Sequence, residues 1–174
     1  MSRLLLRSGW LEKKVIKVKV LGFARDKERN TPILLLEEDG ETKRVLPIWI
    51  GEYEADAIIR GLNNLPYPRP LTHELIINII KGLGFELMKV EVTKIVSGTY
   101  YANIVLRKDN SIYEIDSRPS DAIALASIVK SPIYVSEEVM DSSSIKLDIE
   151  GNREMDVREY LRNVNPEDFG ETEL

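Results

Sequence analysis

Residues 116–126 constrain the fold more than any other part of the chain. From residue 122 to residue 129 nearly every side chain is small or apolar, and a helix that is apolar on almost all faces has to be buried. Arg118 and Pro119 are typical of a helix start, because the fixed φ and missing N–H of proline cost nothing at the first helical position. The sequence therefore predicts a central helix that begins in a loop of two aspartates, one arginine and two serines.

Composition indicates a soluble globular protein. The chain has 174 residues, of which 43% are hydrophobic and 30% charged, enough for one domain with a substantial core. The net charge of −5 does not favour broad electrostatic binding to nucleic acid, although it leaves room for a local basic patch. The chain has no cysteine and a single histidine, His73, which excludes zinc–thiolate and multi-histidine sites within one chain. The absence of glutamine resembles thermophile composition.

The chain is expected to be a single domain in the cytoplasm. No apolar run approaches the roughly 18 residues that a membrane-spanning helix needs. We predict an N-terminal arm over residues 1–12, a folded domain over 13–163 and an acidic tail over 164–174.

Alternating apolar and polar residues predict most of the strands. The predicted strands cover residues 15–21, 33–37, 42–50, 87–96, 99–106, 112–115, 133–135 and 145–149. Asp39–Gly40 is a strong hairpin signal between the second and third of these strands. Together with the helices, the pattern predicts an α+β fold with a mixed or largely antiparallel sheet and helices packed on it.

Three further helices are predicted besides the central one. One is predicted to begin at Gly51 and another to be capped by Thr72, and a short one covers residues 157–162. The residues expected to face the core are Ala55, Ile58, Ile59 and Leu62 in the first and Ile76, Ile79, Ile80 and Leu83 in the second.

Carboxylates form the strongest chemical cluster. Asp116 and Asp121 flank the start of the central helix, and Glu54 is a further candidate ligand. Because hard cations prefer oxygen ligands, these residues predict a site for Mg²⁺ or Mn²⁺, and we expect no organic cofactor. Such an ion can activate water and neutralise charge on a phosphodiester.

Basic and hydroxyl side chains lie close to these carboxylates in sequence. Arg69 and Arg118 can clamp a phosphate bidentately, and Ser120 is a further candidate for binding substrate. The helix N-terminus after Arg118 can hold an anion without any metal. His73, at a helix start, can serve as a general acid or base. With the two aspartates it completes the predicted catalytic set.

Each of these residues also has a purely structural explanation. Asp121 can stabilise the end of its helix, Asp116 can pair with Arg118 or cap the turn, and His73 can be an ordinary first-turn residue. Ion-pair networks of this kind imitate functional clusters, so both explanations stand at this point.

Four blocks of the sequence resemble the bifunctional nuclease domain family. They are residues 46–51 with Glu54 and Ala55, residues 69–75, residues 116–126, and residues 132–135 with 137–139. The resemblance runs from about residue 15 to residue 140 and keeps the family's order. It implies a nuclease that acts on the phosphodiester bonds of RNA, DNA or both, with a metal-assisted mechanism and nucleic acid as partner. The predicted site residues lie within these shared blocks.

A non-catalytic oligomeric binding or regulatory module is the competing class. The acidic composition, the single histidine and the largely apolar central helix all suit it. In either case we predict a homo-oligomer, with a two-fold dimer favoured because that symmetry is the commonest. The motivation is a surplus of apolar helix faces, together with Trp10 and Tyr100 or Tyr101.

Burial of the central helix gives a first testable expectation. Leu125→Ala should lower the free energy of unfolding by about 2–5 kcal/mol, because a cavity is left where the side chain packs on most sides. Denaturant titration measures this loss. A loss under about 0.5 kcal/mol would place the helix at the periphery of the fold.

Overall fold

The computed structural model describes residues 14–26, 28–66 and 68–146. Within these ranges the strands are β1 (Val15–Arg25), β2 (Pro32–Glu38), β3 (Arg44–Trp49), β4 (Glu86–Val96), β5 (Thr99–Lys108), β6 (Ser111–Ser117), β7 (Ile133–Ser136) and β8 (Ile145–Lys146). The helices are α1 (Glu52–Asn63), α2 (Thr72–Gly82), α3 (Pro119–Val129) and α4 (Glu137–Ser143). The predicted arm and tail, Trp10 and the predicted helix over 157–162 lie outside the described residues.

All eight of these strands join one sheet, in the order β6-β5-β4-β7-β1-β2-β3-β8. Two antiparallel meanders, β1-β2-β3 and β4-β5-β6, are joined by β7, which pairs parallel to β4 and antiparallel to β1. The predicted α+β fold with a mixed sheet and packed helices is therefore confirmed. Along the described chain, no helix combines the length and apolar composition needed to cross a bilayer.

Residue alternation along the strands builds a core on each face of the sheet. The larger core lies between the sheet and the helices and includes Leu34, Leu36, Ala102 and Ile104. A smaller core of Ile33, Leu35, Val45 and Ile145 covers the opposite face of β2, β3 and β8. Because β2 contributes to both cores, its run of isoleucine and leucines is buried on both sides.

The central helix α3 is buried as predicted. Its side chains from Ala122 to Ser127 are all buried, and Leu125 is only 2% exposed. Most of these residues are alanine or serine, so the helix backbone can approach its neighbours closely. It contacts α1, α2, β4 and β5, and it thereby fixes the position of both other long helices.

Gly61 of α1 packs closely against the end of α3. A Cβ atom added to Gly61 would lie 2.9 Å from Cβ of Ser127 and 3.0 Å from the backbone nitrogen of Ile128. No L side chain fits this space without a shift of the backbone of α3. Glycine at position 61 therefore sets the separation of α1 from α3.

Two details of the predicted helices are wrong. In α1, Ala55 and Ile58 are buried as predicted, but Ile59 and Leu62 are exposed because α1 turns Gly61 toward α3 instead. The cap of α2 is Leu71 and not Thr72, and the Glu74 carboxylate accepts a hydrogen bond from the Leu71 backbone N–H at 3.0 Å.

The predicted core face of α2 is also only partly correct. Ile76 and Ile80 pack against the core beside the buried Ile77. Ile79 and Leu83 were expected beside them but are exposed, because α2 carries apolar residues on two faces.

The tyrosines of β5 divide between the two faces of the sheet. Tyr100 packs against the larger core. Tyr101 lies on the opposite face, with the Lys94 ammonium 4.7 Å from its ring centroid. That distance is within the range of a cation–π contact.

A matched pair of glycine substitutions tests the contact between α1 and α3. Gly61→Ala should destabilise the protein by about 1–3 kcal/mol, because the overpacking exceeds the gain in helix propensity. Gly82→Ala, where an added Cβ meets nothing within 4 Å, should stabilise it by up to about 1 kcal/mol. Thermal or denaturant unfolding of both variants provides the comparison. Equal effects of the two substitutions would contradict the close contact.

Candidate active site

Three helix N-termini meet at one place in the structure. Glu54 lies in the first turn of α1, His73 in the first turn of α2 and Asp121 in the first turn of α3, with Arg118 as the N-cap of α3. These four side chains form one connected cluster, which we call the Asp121 cluster. Since α3 is rigidly buried, the cluster stands on a fixed support.

Asp121 is the centre of the cluster. Its Oδ1 lies 3.1 Å from Nε2 of His73 and 3.2 Å from Nη2 of Arg118. Its Oδ2 accepts a hydrogen bond from Nε of Arg118 at 2.7 Å. The carboxylate therefore holds an imidazole on one side and the edge of a guanidinium on the other.

Glu54 also holds the guanidinium. Its Oε1 accepts a hydrogen bond from Nη2 of Arg118 at 2.9 Å. Gly51, the N-cap of α1, makes room for this carboxylate, because a Cβ at that position would collide with it. Nη1 of Arg118 makes no hydrogen bond to a described residue, so it remains available to a ligand.

Burial divides the cluster into an inner and an outer part. The side chains of His73, Glu54 and Asp121 are 17%, 18% and 30% exposed, whereas that of Arg118 is 64% exposed. The acids and the imidazole thus line the inside, and the guanidinium faces solvent. Arg118 is the first group of the cluster that an approaching anion meets.

Electrostatics keep Asp121 ionised. The hydrogen bond to His73, with the bonds and charge of Arg118, lowers the pKa of Asp121 to about 2 against the opposing effect of burial. The hydrogen bonds and charges of Asp121 and Glu54 raise the pKa of Arg118, also against burial. Asp121 and Arg118 are therefore both charged at any pH near neutrality.

Asp116 does not join this cluster. In the β5–β6 ladder Asp116 pairs with Asn103, whereas the flanking Ala102 and Ile104 belong to the core beneath the helices. Because alternate residues of a strand point to opposite faces, Asp116 lies on the face away from α3. Arg118, with which Asp116 could have paired, bonds Asp121 and Glu54.

The remaining predicted residues lie in different surroundings. Ser120 is buried in the first turn of α3, only 7% exposed, which leaves its hydroxyl little surface for a substrate. Arg69 is exposed in the loop before α2 and makes no ion pair with a described residue. The structure thus brings together four of the seven predicted site residues: Glu54, His73, Arg118 and Asp121.

The geometry of these donors does not fit the predicted Mg²⁺ or Mn²⁺ site. Both oxygens of Asp121 face Arg118 or His73, and Glu54 faces the same guanidinium, whose charge opposes a second cation. Across the part of the chain that the structure describes, no three acidic or histidine side chains converge as metal ligands would. Within the cluster, the exposed Nη1 of Arg118 is the group that can hydrogen-bond an anion.

Comparison with known proteins identifies the family. A model of the bifunctional nuclease domain matches residues 33–148 of this chain. An uncharacterised protein of Mycobacterium tuberculosis is 37% identical over 166 residues, which cover 90% of this chain and 99% of that protein. Bifunctional nuclease 1 of Arabidopsis thaliana is 31% identical over 129 residues, 72% of this chain but 39% of the plant protein. The rice protein of the same name is 29% identical over 126 residues, 71% of this chain and 38% of that protein.

The chain therefore belongs to the bifunctional nuclease domain family. All residues of the Asp121 cluster lie inside the matched segment, and so does the whole of α3. The resemblance seen in the sequence is thus confirmed.

The depressed pKa of Asp121 predicts a specific dependence of stability on pH. A carboxylate whose pKa is lowered by folding stabilises the protein above its unfolded value of about 3.9, and this contribution is lost as pH falls through the folded value. Asp121→Asn should therefore cost about 1–2 kcal/mol near pH 6, allowing for partial solvent screening. The difference in the free energy of unfolding between wild type and variant should shrink between pH 4 and pH 2.

Urea titrations over that pH range measure this difference. Asp116→Asn is the matched control, because Asp116 is an exposed aspartate that forms no ion pair with a described residue. A difference for Asp121→Asn that stays constant down to pH 2 would contradict the ion-pair network.

Proposed function

We propose that this protein is a nuclease that hydrolyses phosphodiester bonds in RNA, DNA or both, with the Asp121 cluster as its active site. The observation that carries the proposal is the contact of His73 with Asp121 at 3.1 Å, directly beside the solvent-facing guanidinium of Arg118. A positioned imidazole and an exposed arginine are what phosphodiester hydrolysis needs from side chains. Membership in the bifunctional nuclease domain family supports the same reaction class.

Arg118 binds and stabilises the phosphate. Its exposed position and its unengaged Nη1 let it bond a non-bridging oxygen of the phosphodiester. The N-terminus of α3 adds favourable dipole potential at the same place. As the phosphorus gains a fifth oxygen, negative charge grows on these oxygens, and the guanidinium stabilises it more strongly than in the ground state.

His73 moves the protons. In its neutral form the imidazole takes a proton from the attacking oxygen, which is water or, in RNA, the neighbouring 2′-hydroxyl. A new P–O bond forms as the P–O bond to the leaving oxygen breaks. The imidazolium then returns a proton to the leaving oxygen, and general acid–base catalysis of this kind contributes about 10²–10⁴-fold.

Asp121 and Glu54 act as positioning residues. Asp121 orients the imidazole through Nε2 and stabilises the imidazolium that forms during the reaction. Because Nε2 contacts Asp121, the other ring nitrogen, Nδ1, which makes no hydrogen bond to a described residue, exchanges protons with the substrate in this mechanism. Glu54 helps to hold the Arg118 guanidinium in place through Nη2, which also contacts Asp121.

One observation favours the second candidate function, a non-catalytic binding or regulatory module. Two carboxylates face a single guanidinium in the cluster, so its charge is already compensated before a polyanion approaches. If the protein is a binding module, the hydrogen bonds of the Asp121 cluster serve to hold α1, α2 and α3 together. The two functions differ in whether wild type cleaves nucleic acid at all.

The test is cleavage of single-stranded RNA and DNA by wild type and point variants. His73→Ala and Arg118→Ala should each lower kcat at least about 100-fold, because each removes a group that acts in the transition state. Arg107→Ala is the matched control: Arg107 is an exposed, ion-paired arginine on β5, far along the chain from the cluster. Asp116→Asn should retain activity, since Asp116 lies on the other face of the sheet.

Two further arms make the experiment decisive. Assays with EDTA and with added Mg²⁺ or Mn²⁺ test the metal dependence that the sequence predicts. Circular dichroism confirms that each variant folds. If wild type cleaves no more than a mock preparation, the binding module replaces the nuclease. If it cleaves and His73→Ala cleaves equally well, the reaction takes place elsewhere on the molecule.

A further inference from the structure

Tyr53 is the most exposed large apolar side chain in the part of the chain that the structure describes. It is 90% exposed, and the next, Leu83, is 61% exposed. The ring of Tyr53 makes no stacking or cation–π contact with a described residue, and its hydroxyl makes no hydrogen bond with one. An aromatic ring held in water in this way contributes nothing to the packing of the domain, so it is available to a ligand.

The helix holds this ring in a fixed direction. Tyr53 lies in the first turn of α1, between Glu52 and Glu54. With 3.6 residues per turn, the two glutamates point to the flanks of the helix, and Tyr53 points outward between them, away from the buried Ala55 and Ile58. A tyrosine has two side-chain torsions, so a rigid backbone leaves it few orientations. The ring is therefore largely pre-organised for contact.

Ion pairs on both flanks place Tyr53 beside the Asp121 cluster. On one flank, Glu54 accepts a hydrogen bond from Nη2 of Arg118 at 2.9 Å. On the other flank, Glu52 accepts hydrogen bonds from both terminal nitrogens of Arg25, the one from Nη2 at 3.2 Å. Arg25 also donates to a backbone carbonyl of the β1–β2 turn. Tyr53 therefore lies between two guanidiniums, one on each flank of a helix about 10–12 Å wide with its side chains.

Two further arginines extend this row. Arg29 lies in the β1–β2 turn, and Arg69 lies in the loop before α2. Both are exposed, and neither makes an ion pair with a described residue. The order along the surface is α2, α3, α1 and the β1–β2 turn, because hydrogen bonds between charged side chains join each of these elements to the next. An extended polyanion that follows this row meets guanidiniums on both sides of Tyr53.

This combination of groups is suited to single-stranded nucleic acid. Guanidiniums bind phosphates through their hydrogen-bond donors, and aromatic rings stack on bases whatever their sequence. In a duplex each base stacks on its neighbours and presents only its edge in a groove, so a protruding ring reaches base faces only where the strand is unpaired. Carboxylates compensate the charge of Arg25 and Arg118, so stacking has to supply a larger share of the binding.

We propose that Tyr53 is the platform on which one base of a single-stranded substrate stacks, while the arginines on either side bind the flanking phosphates. The proposal rests on the proposed nuclease function, to which it adds the class of substrate: a single strand of RNA or DNA. It also gives the strand a course, from the loop before α2 across the Asp121 cluster to the β1–β2 turn. A base next to the phosphate on Arg118 stacks on Tyr53.

Fluorescence anisotropy of a short, labelled, single-stranded oligonucleotide of mixed sequence measures the stacking. The full chain carries His73→Ala throughout, so that the oligonucleotide stays intact, which gel electrophoresis checks. Adding Tyr53→Ala should raise Kd about 5- to 150-fold, whereas Tyr53→Phe keeps the ring and should leave Kd near the parent value. Tyr113→Ala is the matched control, since Tyr113 is a 44% exposed tyrosine on β6. Circular dichroism confirms that each variant folds.

An oligonucleotide with the same sugar–phosphate backbone but no bases separates stacking from phosphate contacts. On this abasic strand Tyr53→Ala should bind as tightly as the parent, because no base remains to stack. Arg29→Ala and Arg69→Ala should weaken binding to both strands equally, and each should lower the slope of log Kd against log salt concentration by about 0.7. Arg107→Ala should leave the slope unchanged, since Arg107 is an ion-paired arginine away from this row.

Three results would overturn the proposal. The first is a parent protein that does not bind the single strand, and the second is an unchanged Kd for Tyr53→Ala on the strand with bases. The third is a loss of binding by Tyr53→Ala that is just as large on the abasic strand, because the ring would then act without a base.

Cleavage assays keep this outcome separate from the fate of the nuclease proposal. In a protein that cleaves, Tyr53→Ala should raise KM with kcat near that of wild type, because stacking acts equally in the ground and transition states. Cleavage with no effect of Tyr53→Ala on binding would remove the platform and keep the nuclease. Binding that depends on Tyr53, without any cleavage, would remove the nuclease and assign the platform to a binding module.

Discussion

The close contact between α1 and α3 at Gly61 is the constraint on which the rest of the structure depends. Because five of the eleven residues of α3 are alanine or serine, its backbone can come close to α1 at Gly61. This contact sets the position of α1, and with it the position of Glu54 relative to Arg118. Glu54, Arg118 and Asp121 lie at the N-terminal ends of α1 and α3, whereas the contact at Gly61 lies near the C-terminal ends. The geometry of the Asp121 cluster thus depends on packing at the far ends of these two helices.

The cluster itself links stability to the proposed chemistry. Its carboxylates keep the guanidinium and the imidazole in place, and they also neutralise the charge that has to attract a phosphate. A nuclease built this way depends on local geometry more than on a strongly basic surface, which suits a chain with a net charge of −5. Contacts with α1, α2 and α3 tie the site to the whole helical layer.

Much of the fold follows from local patterns in the sequence. The uniformly apolar run after Pro119 indicates a buried helix, and Asp39–Gly40 indicates the β2–β3 connection, because each depends only on neighbouring residues. The contacts of Arg118 with Glu54 and of Asp121 with His73 span 64 and 48 residues. Contacts between residues so far apart in the sequence depend on how the helices pack, and no local sequence pattern encodes them.

Two departures from expectation have a clear physical origin. Asp116 and Asp121 are five residues apart, but the alternation of β6 directs Ser117 toward the helices and Asp116 away from them. In α2, apolar residues recur on two faces, so the core-facing set cannot be separated from the outer set by periodicity. The first could have been found by applying strand alternation up to the start of α3. The second needs the structure.

The place of β7 in the sheet has a consequence for how the protein forms. The two meanders consist of contacts between neighbours in sequence, so each can assemble as soon as its own strands exist. Their facing edges, β1 and β4, meet only through β7, which follows α3. During synthesis both edges therefore remain unpaired until residue 136 has left the ribosome. Closure of the sheet is a late event, and exposed edges are most vulnerable to misassembly in the interval before it.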